Sequence, residues 1–160
     1  DVIHASSPIK DTRGLTSTAV AFTDDIFAPV RRITTKELAT LPDVFTIDDI
    51  RTEIDADAKY LLPNTGCIVM RADTWFKEFP GFTIEDRVIH DDKEWGVDVC
   101  PEDWNFGHWC AANGVNVAGS KMRIQHIGRH VYDTSIAWGW DSDEDYFKNK
   151  QIYKEYCDAI

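Results

Sequence analysis

The sequence predicts an α/β fold in which a mixed sheet is flanked by helices. The apolar run at 67–70 has no polar alternation, which is typical of a strand covered on both faces. A helix is predicted over 102–113, because Pro101 precedes it, two acids occupy its first turn and Gly114 follows it. At 160 residues the chain is expected to form one domain, 1–160.

Shorter elements surround these two. Segments 2–5 and 16–22 are rich in Val, Thr and Ala, which favours strands. A short helix is predicted to begin after Thr34, since Glu37 completes a capping box, and to end before Pro42. Segment 45–59 is acidic without clear periodicity, so either a loop or a short helix is expected. Further predicted elements are a helix over 73–79, a β-hairpin over 87–99, strands over 115–118 and 122–127, and a final helix over about 145–158.

Composition excludes several classes of protein. A net charge of −11 argues against a nucleic-acid partner, because binding to the phosphate backbone needs a basic face. The hydrophobic fraction of 43% describes a globular chain, and without a run of ~18 apolar residues no membrane span is expected. We see no signal peptide and no metal-binding cysteine spacing, and we expect buried, unpaired thiols in a cytoplasmic protein. The cysteines are Cys67, Cys100, Cys110 and Cys157.

Glu102 and Asp103 form the first candidate site. Acids in the first turn of a helix commonly do no more than complement the helix dipole, and this interpretation stays open. The flanking Trp104 and Trp109 favour a second one, in which the acids line an aromatic cleft. A carboxylate beside aromatic rings can have its pKa raised toward the range useful for a general base.

Histidines 126 and 130 form the second candidate site, together with Arg129. On a helix their spacing would face one metal ion, but the strand pattern and Gly128 argue against a helix. His126 at a strand end could then supply a single metal ligand, or could be a structural histidine. Arg129 could bind a phosphate with both of its terminal nitrogens, or could simply lie at the surface.

Residues Asn64, Thr65 and Gly66 form the third candidate site. The sequence favours a simple turn, with contacts to sugar hydroxyls as the alternative. A Trp138–Trp140 pair could stack on a sugar or pack beneath the last helix. We expect the three candidate sites to build one pocket.

The order of five segments resembles a known family: NTGCIVMR (64–71), FPGF (79–82), PEDWNF (101–106), GVNV (114–117) and IQHIG (124–128). This order is similar to the C-terminal, acceptor-side half of a GT-A glycosyltransferase of the family 2 type. The resemblance covers about 60–132 well and the first 25 residues loosely. It implies a fold of that type and the transfer of a sugar from a nucleotide-diphosphate donor to a glycan or other hydroxyl acceptor.

The resemblance also implies residue roles. Asp103 would be the base of an inverting reaction, and Glu102 would orient the acceptor or the metal. His126 would help to hold a divalent cation, Mn²⁺ or Mg²⁺, on the donor diphosphate. The strand from Gly66 to Arg71 would carry donor-sugar and acceptor contacts.

One departure from the family pattern concerns the donor side. The nucleotide-binding half with its D-x-D motif should precede these segments, and this sequence does not contain it; the acids at 24–25 and 141–143 are in the wrong order. The chain therefore resembles a half that needs a partner chain or a missing N-terminal half. The leading alternative is a non-catalytic carbohydrate-binding or assembly module. A third possibility is a metal-dependent hydrolase that uses Glu102, Asp103 and His126.

Overall fold

The computed structural model describes residues 1–9, 14–75, 79–90, 93–122, 125–127 and 131–133. The elements in chain order are β1 Val2–Ala5, β2 Leu15–Ala21, β3 Arg31–Thr34, α1 Thr35–Thr40, β4 Val44–Phe45, α2 Ile47–Glu53, β5 Tyr60–Leu62, β6 Ile68–Met70, α3 Ala72–Trp75, β7 Glu85–His90, β8 Trp95–Cys100, α4 Glu102–Ala112, β9 Val117–Ser120, β10 Gln125–Ile127 and β11 Val131–Asp133. None of the described helices is long and apolar enough to cross a membrane.

A mixed sheet forms the centre of the fold. Its strand order is β4-β9-β1-β6, with β1 parallel to β9 and antiparallel to β6. This arrangement confirms the predicted α/β class with a mixed sheet. Helix α4 packs against the sheet through a buried cluster that comprises Val2, Phe106, Cys110 and Val115.

A second, antiparallel sheet has the order β3-β2-β5. The main buried cluster joins this sheet to α1, α2 and β4. Its largest members are Val20, Ile33, Leu38, Leu41, Phe45, Ile50 and Leu61. Strands β7 and β8 form a hairpin, as predicted for 87–99, and β10 pairs with β11.

The predicted ends of helices α1 and α4 are confirmed. The Glu37 backbone N–H donates to Thr34 Oγ1 at 3.1 Å, and the Thr34 N–H donates to the Glu37 carboxylate at 2.9 Å, which is the expected capping box. Helix α4 begins after Pro101, and Gly114 follows it at a φ of 63° that suits glycine. The predicted final helix lies outside the described residues.

Three expectations need correction. Strand 67–70 was predicted to be covered on both faces, but β6 lies at the edge of the mixed sheet and Val69 is 68% exposed. Cys67 is exposed, whereas the other two described thiols, Cys100 and Cys110, are buried as expected. The helix expected to begin at 73 begins at Ala72, and its described part ends at Trp75.

Segment 45–59 contains both a strand and a helix. Strand β4 pairs with β9, and α2 follows it. The Thr46 N–H donates to the Asp49 carboxylate at 2.7 Å, so an aspartate takes the role that Glu or Gln usually plays at that position. Because Asp49 stands where the usual pattern has Glu or Gln, the sequence alone did not distinguish a helix from a loop.

Gly107 allows α4 to approach β5 closely. A Cβ at this position would lie 2.8 Å from both Leu62 Cδ2 and Pro63 Cδ, and 3.1 Å from Leu62 Cα. A backbone atom among these neighbours means that the helix itself would have to move. The glycine is therefore required by packing, although it lowers helix propensity.

Gly107→Ala is expected to destabilise the fold by about 1–3 kcal/mol, because overpacking outweighs the gain of up to ~1 kcal/mol in helix propensity. Urea unfolding monitored by circular dichroism measures the change. Ala111→Gly, at an exposed position of the same helix, is the control and should cost only the propensity term of about 1 kcal/mol. A stabilised Gly107→Ala variant would contradict the close approach of α4 to β5.

Candidate functional site

Asp103 lies half-buried in the first turn of α4, beside the exposed Glu102. Its Oδ1 accepts a hydrogen bond from the Trp104 backbone N–H at 2.9 Å. Burial raises the pKa of the Asp103 carboxyl, and the neighbouring Glu102 adds to this, while the Trp104 N–H and the Arg32 guanidinium oppose it. The two adjacent acids thus differ in exposure. Asp103 is partly removed from water, which favours its protonated form.

Arg32 is held in place next to this carboxylate. Its Nη1 donates to the carbonyl oxygens of Thr16 at 3.2 Å and Ser17 at 3.3 Å. Its guanidinium carbon lies 5.0 Å from the centre of the Trp104 ring, within range of a cation–π interaction. Strand β2 and the indole together fix a positive charge near Asp103, which no sequence pattern indicated.

The 64–66 segment forms a turn held by Asn64. Its Oδ1 accepts from the Gly66 N–H, the pattern of an Asx-turn. Its Nδ2 donates to Ser7 Oγ at 3.4 Å, and its backbone N–H donates to His4 Nδ1 at 3.3 Å. Thr65 is partly buried and Gly66 is exposed. The turn is therefore tied to the end of β1 and to the loop that follows β1.

Hydrogen bonds join this turn to the surroundings of Asp103. Ser7 Oγ, the acceptor for Asn64, donates to Ser17 Oγ at 3.1 Å. The carbonyl of Ser17 in turn accepts from Arg32. Two of the three candidate sites that we expected to form one pocket are thus linked through β2.

The structure describes the third candidate site only in part. The structure describes only the backbone of His126, which lies in β10 opposite Tyr132 of β11. Arg129, His130 and the Trp138–Trp140 pair lie outside the described residues. Within the described ranges, no three His, Cys, Asp or Glu side chains are grouped so that they could hold a metal ion. The metal site remains a prediction.

The two tryptophans expected to flank one cleft lie on different sides of α4. Trp104 packs with Ala19, Ala21 and Leu62 beneath Arg32. Trp109 lines a cavity of about 810 Å³ elsewhere. Asp103 and the 64–66 turn are not among the residues that line this cavity or a second one of about 570 Å³.

A buried histidine that the sequence did not single out contributes to the larger cavity. His108 is 7% exposed, and its Nδ1 lies 2.7 Å from the hydroxyl of Tyr60. That hydroxyl also lies 2.8 Å from the carbonyl of Thr23, which can only accept, so Tyr60 donates to Thr23. Nδ1 of His108 must then carry the proton and donate to Tyr60. Nε2 is left as a buried acceptor without a partner in the described part of the chain.

Burial governs the titration of this pair. It lowers the pKa of His108, against the opposing effect of Asp24 and Asp25, and the ring is therefore neutral near pH 7. It also raises the pKa of Tyr60 to about 12. The sequence could not indicate this pair, because Tyr60 and His108 lie 48 positions apart.

Fold and site together define an α/β protein with a mixed sheet and a half-buried carboxylate at the start of a helix. No family model, curated protein or solved structure matches this chain.

Proposed function

We propose that this chain is the acceptor-side part of a metal-dependent, inverting glycosyltransferase of the GT-A type. It would act on a nucleotide-diphospho-sugar donor and a glycan or other hydroxyl acceptor. The observation that carries the proposal is the Asp103 carboxylate, half-buried at the start of α4 and hydrogen-bonded to Trp104. A base of this kind needs a raised pKa and access to the acceptor hydroxyl.

The proposed chemistry is a single displacement. Asp103 takes the proton of the acceptor hydroxyl as its oxygen attacks the anomeric carbon, and the bond from that carbon to the diphosphate breaks. Among the described residues Asp103 Oδ1 already has the Trp104 N–H as donor, so Oδ2 is the oxygen assigned to the acceptor. Glu102, exposed beside it, would orient the acceptor or the metal. The Asn64, Thr65 and Gly66 turn would contact sugar hydroxyls, and Arg129 a phosphate.

The donor side needs groups beyond those that the structure describes. A divalent cation, Mn²⁺ or Mg²⁺, would neutralise the leaving diphosphate when bound. The described residues do not by themselves provide a metal site. We propose that His126 supplies one ligand, and that the others come from a nucleotide-binding half in a partner chain or a further segment.

We also propose a cytoplasmic location. Cys100 and Cys110 are buried and unpaired, as thiols remain in a reducing compartment. Burial raises the pKa of Cys100 to about 11 and that of Cys110 to about 12, so both stay protonated and unreactive.

The test is a transfer assay on the protein isolated from its own cells by a tag on this chain, so that an attached donor half is retained. UDP- and GDP-sugars are supplied with Mn²⁺ and a panel of glycan acceptors, and products are identified by mass spectrometry and by anomeric configuration in NMR. The proposal expects a product of inverted configuration. Glycan binding without any product would favour the non-catalytic module, and metal-dependent release of free sugar alone would favour a hydrolase.

Replacing Arg32 should change the Asp103 carboxyl directly. Because Arg32 favours the ionised form, Arg32→Met is expected to raise the pKa of Asp103 further above its ordinary value. Carboxyl ¹³C NMR titration of the purified chain measures the shift. Arg31→Met is the matched control, since Arg31 pairs with Glu37 and should leave the titration of Asp103 unchanged. Equal effects of both variants would contradict an electrostatic effect of Arg32 on Asp103.

A further inference from the structure

The cavity of about 810 Å³ lies on the side of α4 away from Asp103. With 3.6 residues per turn, Asn105 and Ala112 are roughly half a turn around the helix from Asp103, and Trp109 is about a third of a turn from it. Other residues that line the cavity include Tyr60, Phe79, Thr83, Glu85 and His108. A ligand in this cavity would therefore be separate from the proposed transfer reaction.

Aromatic rings form much of the wall. The ring centroids of Phe79 and Trp109 are 5.0 Å apart, and those of Phe79 and Phe106 are 5.1 Å apart at 70°. Phe82 extends the cluster, with its centroid 5.3 Å from that of Phe106. The cluster offers apolar ring faces to a ligand, and mostly edge-to-face contacts between its rings hold it together.

Two neutral side chains of the wall, Asn105 and His108, contribute hydrogen-bond acceptors. Asn105 Nδ2 donates to both the carbonyl oxygen of Thr83 at 3.0 Å and Thr83 Oγ1 at 2.9 Å. A carbonyl can only accept, so this contact fixes which end of the amide is nitrogen and leaves Oδ1 as an acceptor. His108, which also lines the cavity, adds Nε2, a buried acceptor without a hydrogen-bond partner among the described residues.

Two charged side chains of the wall pair with each other, and a second carboxylate also lines the cavity. Asp24 forms an ion pair with Lys59, and both line the cavity. Glu85 is exposed and contributes one further acceptor group. The Glu85 carboxylate and Asn105 Oδ1 can both accept hydrogen bonds from the hydroxyls of a ligand with several donors.

We propose that this cavity is a saccharide-binding site, separate from the Asp103 site, which takes a neutral pyranose. The C–H face of the sugar would lie on Phe79 and Trp109, and its hydroxyls would donate to Asn105 Oδ1 and to the Glu85 carboxylate. This assignment does not depend on whether the chain transfers sugars.

The test is an NMR titration of the ¹⁵N-labelled chain with methyl glucopyranoside, methyl galactopyranoside, methyl mannopyranoside and N-acetylglucosamine. At least one sugar should shift the amide signals of α4 and of the β7 start, and the imidazole ¹⁵N signals of His108, in a saturable way. Asn105→Leu should weaken that binding at least 10-fold, and Glu85→Gln should weaken it to a smaller extent.

Two controls make the outcome decisive. Asn113→Leu, at the exposed end of the same helix and outside the cavity wall, should bind like the unaltered chain. Asp103→Asn should also bind normally, which separates this proposal from the proposed function. The proposal is overturned if no sugar saturates, if Asn105→Leu and Glu85→Gln both bind unchanged, or if butylammonium binds at these residues in preference to every sugar.

Discussion

Replacing Asp103 by Asn is expected to lower the rate of sugar transfer by about 10²–10⁴-fold, the usual contribution of a positioned general base. Asparagine keeps the size of the side chain and an oxygen that can accept the Trp104 N–H, but it cannot take a proton. The loss should therefore appear in kcat, with little change in KM for the donor. The measurement is steady-state transfer by the protein isolated with its donor half.

Glu102→Gln is the matched control for that experiment. It removes the adjacent acid, which is exposed and has the lesser role in the proposal. Its loss of activity should stay below about 10-fold, since it removes an orienting contact rather than the base. Equal losses for both variants, or a larger loss for Glu102→Gln, would contradict the assignment of Asp103 as the base.

Acid is expected to destabilise the fold through His4. This residue is 1% exposed, and burial lowers its pKa from 6.5 to about 4, with a smaller opposing effect from the backbone of Ala5. The unfolded chain therefore binds a proton at His4 more readily than the folded chain does. The full stability is present above pH 6.5 and is lost as the pH falls toward 4, by about 3 kcal/mol in total for this group.

Urea unfolding at a series of pH values between 7 and 4 measures this loss. His4→Gln cannot titrate, so its stability should depend less on pH than that of the unaltered chain, even if it is lower at pH 7. His90→Gln, on the exposed β7 strand, is the matched control and should preserve the dependence. If His4→Gln preserved the full pH dependence, His4 would not be the group responsible.

The sequence could predict features that depend on neighbours along the chain. Thr34 and Glu37 cap α1 through contacts three residues apart, and Pro101 and Gly114 bound α4 for reasons that lie in their own backbone preferences. Asp103 could be identified as a candidate for the same reason, because the predicted start of the helix puts it in the first turn.

Features that depend on distant pairing could not be predicted. The apolar run of β6 looks like a central strand, and only its pairing with β1 at the edge of the sheet explains why Val69 is exposed. Arg32 approaches Asp103 because β2, β3 and α4 meet in the fold, and His108 finds Tyr60 in the same way. No local pattern of hydrophobicity or spacing encodes such contacts.

The pH dependence of kcat for sugar transfer tests the central claim most directly, because it reports the group that must be deprotonated. We expect an acidic limb at a pKa above the ordinary aspartate value of 3.8, which moves to higher pH in Arg32→Met and not in Arg31→Met. An acidic limb that Arg32→Met leaves in place, or transfer that persists unchanged in Asp103→Asn across the whole pH range, would contradict that claim.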